Sequence, residues 1–457
     1  MYTAAKYVAC FFALIVLATI TASWWQGTEP VQHLMPPSQP ISASLFGLHI
    51  HHLEMPTPWP AVPFGSWRLW DTYALWPDLE PKKGQWDFSY LDRLVSQAES
   101  HGVEVLLPLA MSPEWASSRP QEKSSYGPGS IAEPSDLIDW QEYVRHVAAR
   151  YKGRIHAYEI WNEPNLPDFF SGTPQQMLDL ARTAYVVLKQ VDPTITVVSP
   201  SATGTPGVAW LENYLKLGGG AYADVIGFHL YVTPGAPEAM LDLSHRVQAV
   251  LQENHFAGKP VWNTESGWLI ANRLSQVRPQ DSSFSKVLTL EEASAYVARC
   301  YILNWATGVS RFYFYSWDSD VGGLTEADGR TLKPPATAYA EIENWLVGAR
   351  MRSCISDPQD TWICELSRPG YRAWVIWNPA RTIEFKIPDP WHPRQRRDLS
   401  GKRFRLGPTP IISIGPTPVL IESQDSHASL WCPTGRKPMT KLSVGQETYG
   451  SNSLTSR

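Results

Sequence analysis

Cysteine is scarce in this chain, with five residues among 457, too few for a disulfide-held scaffold. Cys10 lies in an apolar N-terminal run, Cys300 in a helical pattern and Cys432 in a polar tail. No Cys/His spacing suits a metal ion, so neither a metal nor another cofactor is expected. Only Cys354 and Cys364 suggest a pair. They flank Asp357-Pro-Gln-Asp360 symmetrically, so a hairpin would set them face to face, and an oxidising compartment would permit a bridge. Basic charge is short as well: 39 Lys and Arg against 44 Asp and Glu leave a net charge of −5. That excludes the broad phosphate-neutralising field a nucleic-acid partner needs. The only basic cluster, 394–405, reads as a solvated strand face. A Gly-rich phosphate loop is missing too, which argues against an open dinucleotide-type sheet.

Aromatic residues, by contrast, are plentiful: 21 Trp, 19 Tyr and 14 Phe. Part of that load is core, and the surplus suits sugar clefts, where flat rings cover the apolar faces of pyranoses. Short apolar runs at 46–52, 67–75, 103–110, 157–161, 196–200, 225–231, 260–263 and 311–317 alternate with helical patterns such as Leu91, Leu94, Val95 and Ala98. Eight strands alternating with helices predict a parallel sheet, and at this length a closed (β/α)8 barrel over 41–348. The first crossover, 53–66, is proline-rich and reads as a loop. Two strand-end loops, 117–134 and 269–288, are long enough to wall a cleft. From 349 to 422 the pattern changes to short alternating strands, which predict a small β-sandwich module. The polar stretch 423–457 reads as disordered.

The N-terminus points to export. Lys6 precedes an apolar run, 7–20, followed by Thr21-Ala-Ser23 and Trp24-Trp25. Residues 1–25 therefore read as a signal peptide or a membrane anchor, and both remain open. Either would place the body outside the cytoplasm: periplasmic, secreted or held at the inner membrane. The stretch 26–40, with four prolines, reads as a flexible linker.

Two strand ends match. His156-Ala-Tyr-Glu-Ile-Trp-Asn-Glu-Pro-Asn165 starts as an apolar strand and breaks at Pro164, which cannot continue a ladder. Pro260-Val-Trp-Asn-Thr-Glu-Ser-Gly-Trp268 does the same just after its glutamate. Glu163 and Glu265 would then sit on one rim of one barrel, where active sites of this fold lie. Two facing carboxyls are what glycosidic cleavage requires, one to protonate the leaving oxygen and one to attack the anomeric carbon. An aldolase-type barrel would want a lysine at a strand end, and none of the eight ends has one.

These residues resemble the clan A glycoside hydrolases, retaining (β/α)8 enzymes with the acid/base on strand four and the nucleophile on strand seven. Trp161-Asn-Glu-Pro-Asn165 and Asn263-Thr-Glu-Ser-Gly267 carry the resemblance. Trp76 with Glu80-Pro-Lys-Lys-Gly-Gln-Trp-Asp87, Gly227-Phe-His-Leu-Tyr231 and Tyr315-Ser-Trp317 extend it. It is closest to family 39, which includes β-xylosidases and bacterial exopolysaccharide hydrolases, with family 5 next. The resemblance implies Glu163 as acid/base and Glu265 as nucleophile, with Arg68 and Tyr231 as donors to Glu265. It implies Asn162 as donor to the sugar 2-hydroxyl, while His229 reads as a substrate binder, a carboxylate orienter or a hydrogen-bonded barrel-end histidine. Trp317 is the expected platform under the sugar, with Trp268, Trp115 and Trp70 behind it. Asp71, Glu114 and Asp318 are read as hydroxyl binders or structural partners. The implied substrate is a β-linked oligo- or polysaccharide. The competing reading is a catalytically idle barrel that binds a polysaccharide within a membrane-associated assembly.

Overall fold

The computed structural model describes residues 32–274, 286–408 and 410–424. The expected export segment and most of the tail lie outside the described residues, as does the middle of the 269–288 loop. Among the described residues no helix is long and apolar enough to cross a membrane.

The first strand, β1 (Gln32–Leu34), does not join the barrel. The barrel is built from β2 (Phe46–Leu48), β3 (Ser66–Arg68), β4 (Glu104–Leu109), β5 (Ala157–Ile160), β6 (Thr196–Val198), β7 (Ala202–Thr203), β8 (Ile226–His229), β9 (Val261–Ser266) and β12 (Val309–Phe314). All pairings among them are parallel, in the order β6-β5-β4-β3-β2-β12-β9-β8-β7. The ring closes through a parallel bridge from Val198 to Val225 and the bond from Ser199 N to Val225 O, 2.9 Å. The expected fifth strand is thus two pieces, β6 and β7, broken around Pro200, which has no N–H to donate. The expected second strand is much shorter than 67–75, because Asp71 and Tyr73 take left-handed conformations (φ 56° and 54°). A second, two-stranded parallel pair, β10 (Leu269–Ile270) with β11 (Val287–Leu288), brackets the loop after β9.

Side chains alternate across the barrel wall with the period of two that a strand imposes. Leu106, Ala157, Val198, Trp262 and Tyr313 form an inner apolar cluster. Their neighbours Val105, Leu107, Tyr158, Val197 and Phe312 face the helices. The helices start where their sequences cap them. Thr173 accepts from Gln176 N while the Gln176 side chain returns to Thr173 N, with Pro174 in the first turn of Pro174–Val191. Thr289 and Glu292 repeat the device for Leu290–Ala306. That last helix is buried on nearly every side, since it lies between the barrel and a further sheet.

This further sheet is antiparallel, β1-β13-β14-β15-β20-β17-β18, built from β13 (Arg350–Ser356), β14 (Trp362–Arg368), β15 (Tyr371–Trp377), β17 (Pro393–Arg397), β18 (Arg403–Arg405) and β20 (Val419–Gln424). β16 (Ile383–Lys386) and β19 (Ile411–Ile414) pair separately. Alternation again decides the packing. Cys364, Leu366, Ala373, Val375 and Trp377 face the barrel's core. Ile363, Trp374 and Ile376 face the other way, onto Ile412 and Ile414. Full burial of such a side chain contributes about 1.5–3 kcal/mol, so the sheet has apolar packing on both faces. Cys354 and Cys364 are register partners and are joined by a disulfide. Part of the expected linker is in this sheet: β1 pairs with the edge of β13. The basic cluster forms the β17–β18 pair, with β18 fully exposed.

Candidate active site

Inward-facing positions near the C-terminal ends of the barrel strands carry polar side chains above the apolar cluster. On β3 the inward position is Arg68, and on β5, two residues beyond Ala157, it is Glu159; both are fully buried. After Ile160 the chain turns sharply. Trp161 and Glu163 are left-handed (φ 60° and 44°), a conformation that costs a non-glycine residue about 1–3 kcal/mol. The bond from Glu163 N to Ser201 O, 2.9 Å, holds the turn. Asn162 and Glu163 are thereby set on the rim. β9 delivers Glu265 from the opposite side, and Glu163 and Glu265 are each only 7 % exposed.

Arg68 connects them. Its Nε donates to Glu159 Oε2 at 2.5 Å, Nη1 to Glu265 Oε2 at 2.8 Å and Nη2 to Asn162 Oδ1 at 2.7 Å. Holding Asn162 by its oxygen leaves Nδ2 as the end that can donate to a ligand. Tyr231 Oη donates to Glu265 Oε1 at 3.0 Å. Burial pushes the Tyr231 phenol well above its usual range, so it remains a donor. Nδ1 of His229 lies 2.9 Å from Glu163 Oε1. One ligand atom each from Glu163, His229 and Glu265 lie within 4.8 Å of one another.

Burial raises the pKa of both carboxyls above the ordinary range, with Arg68 opposing the rise at each and the charge of Glu163 adding to it at Glu265. Two ionised carboxylates this close do not coexist in a buried site. The charge belongs on Glu265, which has a guanidinium and a phenol as donors. Glu163 faces the Thr203 hydroxyl and an imidazole that burial holds neutral, its pKa pushed down to about 4. The geometry therefore yields one proton donor and one buried anion, set for opposite duties. Two carboxylates and an imidazole can also ligate a cation. Here Arg68 lies directly on Glu265, and a second positive charge beside it would be repelled, so the donor set suits acid–base work.

The structure brings Asn162, Glu163, Arg68, His229, Tyr231 and Glu265 together. The aromatic candidates have other surroundings. Trp317 is 2 % exposed and presents no open face. Trp268 is buried, with Nε1 on Gly235 O at 3.0 Å and its ring edge-on to Tyr296. Trp115 is half-buried, with Nε1 donating to Glu80 O at 2.9 Å and its ring edge-on to Trp76. Trp70 lies under the Arg68 guanidinium, 5.6 Å from ring centre to Cζ. Asp318 accepts from His51 N, His52 N and Thr57 Oγ1 at 2.8–2.9 Å, so it shapes the first strand-end loop. Glu114 is exposed. Asp71 accepts from Tyr126 Oη at 3.0 Å and Tyr315 Oη at 2.9 Å, and its charge raises both catalytic candidates. Tyr126 comes from the 117–134 loop, which Arg119 ties to Glu133 and Ser171.

Sequence reasoning missed Glu159, Ser201 and Thr264. Ser201 Oγ donates to Glu159 Oε1 and accepts from Thr264 Oγ1 at 2.9 Å. A glutamate at an inward position of an otherwise apolar strand was the available signal for Glu159.

Residues 68–275 match the family model described as Glycosyl hydrolases family 39. Among curated proteins, the chain is 29% identical over 198 residues to a β-xylosidase of Caldicellulosiruptor saccharolyticus. It is 24% identical over 206 residues to a β-xylosidase of Geobacillus stearothermophilus. Each match takes in 39% of this chain and only 40% of the relative's length. Among solved structures, a family 39 glycoside hydrolase from Bacteroides cellulosilyticus superposes with a TM-score of 0.65 at 20% identity, over 83% of this chain and 82% of that one. A family 39 β-xylosidase from Caulobacter crescentus gives 0.61 at 16%, over 87% and 99%. By family match and by fold, the barrel of this chain is related to the family 39 glycosyl hydrolases of clan A.

Proposed function

We propose that the protein is a retaining glycoside hydrolase that cleaves β-glycosidic bonds of an oligo- or polysaccharide by double displacement. The observation that carries this reading is that a carboxyl oxygen of Glu163 and one of Glu265 lie within 4.8 Å of each other, with donors concentrated on Glu265. Inverting enzymes need room for a water between carboxyls about 6.5–9.5 Å apart, whereas retaining ones hold them at about 5–5.5 Å. Glu265 attacks the anomeric carbon as the glycosidic C–O bond breaks, and Glu163 gives its proton to the departing oxygen. Water then adds to the same carbon as the Glu265 ester bond breaks, its proton passing to Glu163. Asn162 Nδ2 is placed to bond the 2-hydroxyl as positive charge develops on the ring.

The curated relatives make β-xylosides the first substrates to try, and a bacterial exopolysaccharide remains the natural polymer to test beside them. Export supports a place outside the cytoplasm: the apolar run 7–20 and the Cys354–Cys364 disulfide both suit an oxidising compartment. A reporter fused after Gln26 should be active only outside; activity confined to the cytoplasm would refute export.

The test of the reaction is proton NMR of the first sugar released from aryl β-glycosides. We expect the β anomer, Glu265→Gln to be inactive on every substrate, and Glu163→Gln to lose most on poor leaving groups, with azide restoring turnover. An initial α anomer would exclude Glu265 as nucleophile. Binding of polysaccharide without turnover of any substrate would favour the idle barrel.

A further inference from the structure

Arg68 is buried between two carboxylates, and the reaction as proposed uses only one of them. Glu159 is fully buried on the inner face of β5, below the rim. It receives Arg68 Nε at 2.5 Å and the Ser201 hydroxyl, which Thr264 Oγ1 supports from β9. Thr264 is itself fixed from just beyond β2, where His49 Nε2 lies 3.2 Å from its carbonyl. Strands β3, β5 and β9, with the loops after β2 and β6, therefore converge on one guanidinium and hold it from below. Resting on the reading above, we infer that Glu159 is a positioning residue: it aims Arg68 at Glu265 and Asn162 together and takes up part of its positive charge, so that Glu265 stays ionised yet remains a competent nucleophile.

The physical argument is a balance of charge. A guanidinium at hydrogen-bond distance from one carboxylate in a dry site stabilises the anion strongly. An anion held that tightly attacks poorly, because the same charge must leave the carboxylate as the new bond forms. A second buried carboxylate on the opposite edge of the guanidinium divides the attraction. The remaining groups facing Glu265 are Tyr231, His229, Glu163, Asp71, Tyr126 and Tyr315. Among these only carboxylates bring negative charge, and neither Glu163 nor Asp71 bonds Arg68.

Glu159→Gln keeps the shape, since the Ser201 hydroxyl can turn to accept from the new amide, and it removes the charge alone. On 4-nitrophenyl β-xyloside we expect kcat/KM to fall about 10- to 100-fold with KM little changed. The acid limb of the pH profile, set by Glu265, should move down by about one unit as Arg68 acts on that carboxylate undivided. Glu159→Asp keeps the charge and loses reach, so its acid limb should stay in place while its rate falls. An unchanged limb in Glu159→Gln, at any rate, overturns the inference and leaves a merely structural glutamate. Should Glu159→Gln fail to fold, Glu159→Asp decides: full wild-type rate in that variant overturns it. If wild-type protein does not turn over any glycoside, the functional reading fails by itself. The carboxyl 13C titration of Glu265, assigned with Glu265→Gln, then tests the inference without substrate. A midpoint lower in Glu159→Gln than in wild type is expected, and an identical one refutes it.

Discussion

Nδ1 of His229 lies 2.9 Å from Oε1 of Glu163, and burial keeps that imidazole neutral. Whenever Glu163 is ionised, Nδ1 must be the nitrogen that carries the hydrogen, because a carboxylate only accepts. The contact therefore helps Glu163 in its second duty, as the base that receives a proton from water. His229→Ala should slow turnover about 10- to 100-fold and move the alkaline limb up, since the ionised form loses a donor. His229→Asn, whose amide nitrogen lies near the place of Nδ1, should restore most of the rate. Equal losses in both variants would contradict this.

Burial pushes the Glu163 carboxyl up to about 7, and the sign for stability follows. A group whose pKa is higher folded than unfolded contributes stability that is complete below the unfolded value and is lost as pH rises through the folded one. Wild-type protein should lose Tm between about pH 4.5 and pH 7. Glu163→Gln should lose less Tm across that window and be the more stable protein at pH 7. Calorimetry at the two pH values is the check.

Tyr231 donates to the charged form of Glu265. Tyr231→Phe should raise the carboxyl's pKa, move the acid limb up and cost about 100-fold in kcat/KM. The limb thus moves opposite to that of Glu159→Gln. A pH–rate profile of the purified variant measures both.

The disulfide between β13 and β14 closes a short loop, with a sequence separation of 10. A closed loop of this size is worth about 2–3 kcal/mol. Replacing both cysteines with alanine should lower the unfolding free energy by that amount, reduce Tm and leave KM unchanged, because no site residue lies on either strand. A reductant should lower wild-type Tm similarly and leave the double variant unmoved.

The rim glutamates were legible because each announces itself locally: an apolar strand, a carboxylate, a residue that ends the ladder. Arg68 and Tyr231 followed from family resemblance, and their bonds to Glu265 are as that resemblance implies. Glu159, Ser201 and Thr264 could not be placed together from sequence, since their contacts span 42 and 63 residues and exist only once the barrel closes. Tryptophan roles could not be read from sequence for a related reason. Strand-end indoles such as Trp268 and Trp317 satisfy the same pattern whether they face a cleft or pack beneath it. The short β3 was equally hidden, because nothing in Asp71 or Tyr73 signals a left-handed backbone.

One pairing described above bears on how the chain reaches its fold. β1 at Gln32–Leu34 pairs with Cys354–Ser356, so residues before and after the barrel meet in one sheet, with the whole barrel between them. Contacts of such long range form late, because the entropy of closing so large a loop opposes them until neighbours are in place. During synthesis the helix Leu290–Ala306 is also without its cover until the helix Pro334–Leu346 and β13 have emerged. The nascent chain therefore passes through a stage in which a nearly complete barrel exposes an apolar helix face. Cutting the gene between barrel and sheet would fix the protein at that stage, so aggregation is the expected fate of an isolated barrel.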